Sequence, residues 1–90
     1  MTHNLSVRVK RLKYRTSHTG TKETDILLGG FIDLYGESLT LAEVDGIESL
    51  LAYGNDPKVF NWIVGQEKIP ENFDIPIVKR IARFVVERKR

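Results

Sequence analysis

The chain reads as an all-α protein, a compact bundle of five helices in a single domain, and three observations lead there. Apolar residues recur at intervals of three and four along almost the whole chain, capping and stop signals punctuate that recurrence, and no segment alternates as a half-buried strand would. At 90 residues the chain suits one domain. A domain of this size buries only ~60% of the surface its unfolded form exposes, which argues against a large enclosed substrate cavity.

The first helix is expected over roughly residues 4 to 17, because Leu5, Val9 and Leu12 share a face and Arg8, Lys10, Arg11 and Arg15 surround it. Gly20 suits the position just past a helix end, where a left-handed backbone favours glycine. A second helix follows at once, with Leu27, Leu28, Phe31, Leu34 and Tyr35 as its stripe and Glu23 and Asp25 in its first turn, where the helix dipole favours negative charge. Gly29 and Gly30 fall inside it and point to a close helix contact or a weak, bent point.

Thr40-Leu41-Ala42-Glu43 is a capping box, and Leu41, Val44, Ile47 and Leu51 continue a third helix that should stop near Tyr53, with Gly54 beyond. Asp56-Pro57 reads as an N-cap followed by a proline at the first helical position. It opens a short fourth helix through Phe60, Trp62 and Ile63, ended by Gly65. Asp74 can cap a fifth, in which Ile77, Val78, Ile81, Phe84 and Val85 face inward and Pro76 sits in the first turn, whose amides lack intrahelical acceptors. Phe60 and Trp62 are assigned to the core rather than to recognition.

The net charge of +2 conceals a strong asymmetry. Residues 1 to 22 carry +6, residues 23 to 74 carry −9 and residues 75 to 90 carry +5. Basic ends around an acidic middle can steer an acidic partner surface or nucleic acid, or simply let the ends pack on the middle. No apolar run reaches the ~20 residues needed to span a bilayer, so a soluble protein without membrane insertion is expected. The basic, acid-free first twenty residues also fit a mitochondrial presequence.

Candidates for catalysis are poor. With no cysteine and only His3 and His18, thiolate chemistry and a typical zinc site are excluded. The sequence shows no nucleophile triad and no phosphate loop. Glu23 and Asp25, two residues apart, point to different sides of a helix and do not form a catalytic carboxylate pair. His18, at the end of a basic helix, more often bonds that helix's last carbonyls than it carries protons.

The segment from Arg11 to Phe31, RLKYRTSHTGTKETDILLGGF, together with Asn55-Asp56-Pro57 and Phe60-Asn61-Trp62, resembles the family of bacterial SdhE proteins and mitochondrial succinate dehydrogenase assembly factor 2. The resemblance runs from about Arg11 to Arg83 and leans toward the alphaproteobacterial and mitochondrial branch. In that family an Arg-Gly-x-x-Glu motif docks on the succinate dehydrogenase flavoprotein. Here the motif reads Thr19-Gly20-Thr21-Lys22-Glu23, so glycine and glutamate are kept and threonine replaces arginine. Threonine supplies no bidentate guanidinium, which leaves two readings: Arg15, one turn earlier, partly compensates, or the chain serves a partner with a changed surface or works less well on the usual one.

The resemblance implies a five-helix fold and a non-enzymatic assembly factor. Such a factor binds the flavoprotein subunit of succinate dehydrogenase, or in some bacteria that of fumarate reductase, and promotes covalent attachment of FAD to a histidine of that partner. FAD is then the partner's, and no cofactor is held stably by this chain. The implied partner-binding residues are Arg11, Arg15, His18, Thr19, Gly20, Lys22, Glu23 and Asp25, and the implied compartment is the cytoplasm of a bacterium or the mitochondrial matrix of a eukaryote. The competing expectation is a small antitoxin-like regulatory module that binds a toxin protein or nucleic acid. Nucleic acid is not the expected partner of this chain, and binding to it would fall steeply with salt.

Overall fold

In a computed structural model, which describes residues 5–18 and 22–88, the described residues form five α-helices and no strand. They are α1 (Leu5–Thr16), α2 (Lys22–Tyr35), α3 (Leu41–Ala52), α4 (Asp56–Ile63) and α5 (Pro76–Arg88). Two short 3₁₀ turns, Gly36–Ser38 and Glu71–Phe73, sit in the connections after α2 and before α5. Neither is legible in the apolar periodicity, because three residues cannot complete a repeat.

One apolar core joins all five helices. Val9 and Leu12 come from α1, Leu28, Phe31 and Ile32 from α2, and Val44, Ile47, Leu50 and Leu51 from α3. Val59, Trp62 and Ile63 of α4 meet Ile77, Val78, Ile81, Phe84 and Val85 of α5, which buries the face expected of that last helix. Trp62 is buried as expected, its ring centroid 5.2 Å from Tyr53 and 5.5 Å from Phe73, while Phe60 is only half-buried. Leu34 and Leu41 depart from their expected stripes and are 63% and 57% exposed. Each lies near a helix end, where the core no longer reaches the edge of the stripe.

The helix ends follow local chemistry. At α3 the capping box is complete: the Glu43 amide donates to Thr40 Oγ1 at 3.2 Å and the Thr40 amide to Glu43 Oε1 at 2.9 Å. At α4 the cap lies one residue earlier than expected, since the Lys58 amide donates to Asn55 Oδ1 at 3.1 Å. Asn55 and Asp56 are equally good caps by type, and Pro57 tolerates the second helical position as well as the first. The Asp74 cap is also displaced, because α5 begins at Pro76 and the Ile75 carbonyl accepts the Lys79 amide at 3.1 Å. The Asp74 carboxylate instead faces the Lys79 ammonium at 3.2 Å.

Gly54 and Gly65 stop α3 and α4 with φ of 82° and 83°. At Gly65 the stop is a full Schellman motif: the Gly65 amide donates to the Trp62 carbonyl at 3.4 Å and the Gln66 amide to the Asn61 carbonyl at 2.8 Å. Gly46 serves packing instead. A Cβ there would stand 2.6 Å from Ile77 Cγ2 and 3.0 Å from Ile75 Cδ1, so α3 approaches the start of α5 too closely for any side chain.

The α1 terminus bears most directly on function. Thr16 Oγ1 donates to the Leu12 carbonyl at 2.7 Å and Ser17 Oγ to the Lys13 carbonyl at 2.9 Å. His18 Nδ1 lies 2.7 Å from the Tyr14 carbonyl, and the His18 amide donates to the Arg15 carbonyl at 3.1 Å. Hydroxyls and an imidazole thus satisfy carbonyls that a helix end leaves unpaired. The helix closes at Thr16, four residues ahead of the glycine expected to end it; Gly20 itself lies outside the described residues.

Candidate functional site

α2 runs back along α1. A Cβ at Gly29 would stand 3.8 Å from the Thr16 carbonyl oxygen, and one at Gly36 would stand 3.1 Å from Val9 Cγ1. The helix continues through Gly29 and Gly30 without a break, and Gly29 is the one of the pair that faces the end of α1. Since Thr16, the last residue of α1, is level with Gly29, the stretch Lys22–Leu28 projects beyond α1 by roughly 10 Å at 1.5 Å per residue. Thr24 and Leu28 bury the inner side of this overhang, and Lys22, Glu23 and Ile26 are exposed on it. Asp25 is half-buried.

The basic residues of α1 divide into two groups that the sequence does not separate. Arg8 turns inward to α3, where its Nε and Nη2 donate to the two carboxylate oxygens of Glu48 at 3.2 and 2.6 Å, and Nη2 also reaches Asp45. These bonds, the Glu48 bond foremost, raise the already high pKa of the guanidinium further. Arg15 is half-buried and donates from Nη2 to the Leu51 carbonyl at 3.3 Å, near the C-terminal, electronegative end of α3. Lys10 and Arg11 remain exposed.

Of the eight expected partner-binding residues, the structure therefore presents Arg11, His18, Lys22 and Glu23 to solvent, and holds Arg15 and Asp25 half-buried. Thr19 and Gly20 lie outside the described residues. The expectation that His18 bonds the last carbonyls of its helix holds. Sequence reasoning passed over Tyr14 as a surface residue. It is 68% exposed, and its ring stacks on that of His18 with centroids 4.1 Å apart and planes 17° from parallel. Its i, i+4 relation to His18 was the available signal.

Among the described residues no group of three His, Cys, Asp or Glu side chains is placed to hold a metal ion, and no helix is long and apolar enough to cross a membrane. The surface depressions are open grooves. One of about 340 Å³ between α1 and α3 is lined by Arg11, Leu12, Arg15, Glu48, Leu51 and Ala52. The surface thus offers exposed charges of both signs, the Tyr14–His18 ring pair and an open groove, features that suit docking of a partner.

Comparison with known proteins points the same way. The family model described as "Flavinator of succinate dehydrogenase" matches residues 10–85. The chain is 38% identical over 79 residues to the FAD assembly factor SdhE of Acetobacter pasteurianus, covering 88% of this chain and 72% of that protein. It is 35% identical over 72 residues to the mitochondrial succinate dehydrogenase assembly factor 2 of Dictyostelium discoideum, covering 80% of this chain and 50% of that one. The corresponding protein of Arabidopsis thaliana is 31% identical over 65 residues, which span 70% of this chain and 33% of its own length. This chain therefore spans half or less of those two mitochondrial relatives. No solved structure matches.

Proposed function

We propose, since the chain belongs to the family of flavinators of succinate dehydrogenase, that it binds the flavoprotein subunit of that enzyme and promotes covalent attachment of FAD there. The family is one of assembly factors and not of catalysts. The bond forms within the partner, on a histidine of the flavoprotein, and this chain acts by holding one arrangement of the partner's domains. A factor that binds that arrangement more tightly raises its population by the ratio of the two affinities, without contributing a reacting group. FAD stays with the partner. The compartment follows the partner too: the cytoplasm in a bacterium, the matrix in a mitochondrion.

The observation that carries this reading is the position of Glu23. It is exposed in the first turn of the α2 overhang, within the segment matched by the family model, and it belongs to no part of the core. A carboxylate there is free to take a charge-assisted hydrogen bond from a partner, a contact of about 1.5 to 3 kcal/mol. Lys22 supplies positive charge beside it, and Arg15, bonded to α3, braces α1 more than it reaches outward.

Glu23→Ala tests the proposal. Helicity and melting temperature should stay at wild-type values, while covalent flavin in a co-expressed flavoprotein, read as fluorescence of the denatured subunit, should fall by about 10-fold or more. Undiminished flavin fluorescence would remove Glu23 from the contact. The same fluorescence with and without the wild-type chain would sink the proposed function itself.

A further inference from the structure

We infer that an outward stripe of α1, formed by Val7, Arg11, Tyr14 and His18, extends the flavoprotein contact along the helix, with Tyr14 as its anchor and an apolar patch rimmed by carboxylates as its occupant. The inference rests on the function proposed above and adds to it a second contact surface, apart from the Thr19–Glu23 segment.

The spacing of i, i+4, i+7 and i+11 places these four residues on one face, and all four are exposed, Val7 by 44% and Tyr14 by 68%. Val9, Leu12 and Thr16 hold the opposite, buried face, so α1 is amphipathic toward the core and yet carries a second apolar and aromatic line toward water. Nothing in the fold requires that line. The Tyr14 ring is nevertheless ordered by its stack on His18, and His18 is fixed by two bonds to α1 carbonyls at 2.7 and 3.1 Å. An exposed tyrosine already held in place loses little freedom on binding, and tyrosine and arginine are the residue types that dominate interface energetics.

Charge selects the occupant. Residues 5–18 contain five arginines and lysines and no acid. Arg8 is neutralised by Asp45 and Glu48, and Arg15 is turned to the Leu51 carbonyl. The positive charge left is that of Arg11, on the stripe, of Lys10, beside it, and of the half-buried Lys13. A complementary partner surface presents carboxylates around an apolar or aromatic recess, and its approach would be steered by the basic helix.

The test measures binding of the purified chain to isolated flavoprotein subunit at low and moderate salt, beside melting curves and sedimentation of the chain alone. Tyr14→Ala should weaken binding by about 10- to 30-fold with an unchanged melting curve, and Tyr14→Phe should stay within about 3-fold of wild type. Arg11→Glu should weaken binding and flatten its salt dependence, which keeps the proposal testable should Tyr14→Ala fold poorly. Wild-type affinity in Tyr14→Ala and Arg11→Glu, with Glu23→Ala still defective, would overturn the stripe and leave the proposed function standing. Failure of the wild-type chain to bind flavoprotein would overturn both. A Tyr14 effect confined to self-association or to binding of a DNA duplex would assign the stripe to another occupant and overturn the proposal.

Discussion

Glu43 and Arg80 join the start of α3 to the middle of α5, with Nη1 donating to Oε2 at 2.9 Å. The same carboxylate closes the α3 capping box through the Thr40 amide. The same guanidinium lies over the rings of Phe31 and Tyr35 in α2, 5.4 and 5.0 Å from their centroids. A single ion pair thus ties a helix cap to a junction of three helices.

Acid should loosen this junction. The Thr40 backbone bond, and after it Arg80, holds the Glu43 carboxyl below its ordinary value of 4.5. A group whose pKa is lower in the folded chain adds stability above the unfolded value and loses it as pH falls through the folded one. The urea midpoint should therefore drop as pH goes below about 4.5. Glu43→Gln should remove part of that drop, and an identical pH profile in the variant would show that Glu43 does not contribute to it. Glu67, lowered by Lys58 and then Asn61, acts in the same direction and window.

Arg80→Lys keeps the charge and loses the flat face that covers the two rings. A loss of about 1 kcal/mol is expected, measured by urea unfolding. In a double-mutant cycle Arg80→Ala and Glu43→Ala should couple by roughly 0.5 to 1 kcal/mol, since both side chains are partly exposed. Additive effects would mean that the two act separately.

Gly46→Ala should destabilise by about 1 to 3 kcal/mol even though alanine favours a helix by roughly 1 kcal/mol over glycine. The obstacle is the branched Ile77, whose Cγ2 stands where the new methyl must go. Combining Gly46→Ala with Ile77→Ala should cost less than the sum of the two single changes. Thermal melts of the four proteins decide it.

Gly65→Ala probes a different limit. No atom lies within 4 Å of the added Cβ, so the penalty comes from the φ of 83° alone. About 1 to 2 kcal/mol is expected. Gly65→Asn, which tolerates that backbone better, should recover part of it.

Much of the fold was legible because it is written locally. The Thr40–Glu43 box, the stops at Gly54 and Gly65 and the five apolar stripes each depend on residues within one or two turns. What escaped was decided across the fold or between near-equal neighbours. Asn55 and Asp56 compete for one cap, and Leu34 and Leu41 belong to stripes whose edges only the packed helices define. The site was half legible for the same reason. The sequence supplies a basic helix and an acidic first turn, but only the position of α3 reveals that Arg8 and Arg15 turn inward while Arg11 and Tyr14 do not.

Thr16, Ser17 and His18 bond carbonyls in the last turns of α1, so the described end of that helix is held in part by its own side chains. These helix-closing side chains adjoin the segment proposed for recognition. On the proposed reading, threonine at position 19 in place of the arginine of the resembled motif would bear on partner choice, next to a helix end that is secured on its own side by Thr16, Ser17 and His18.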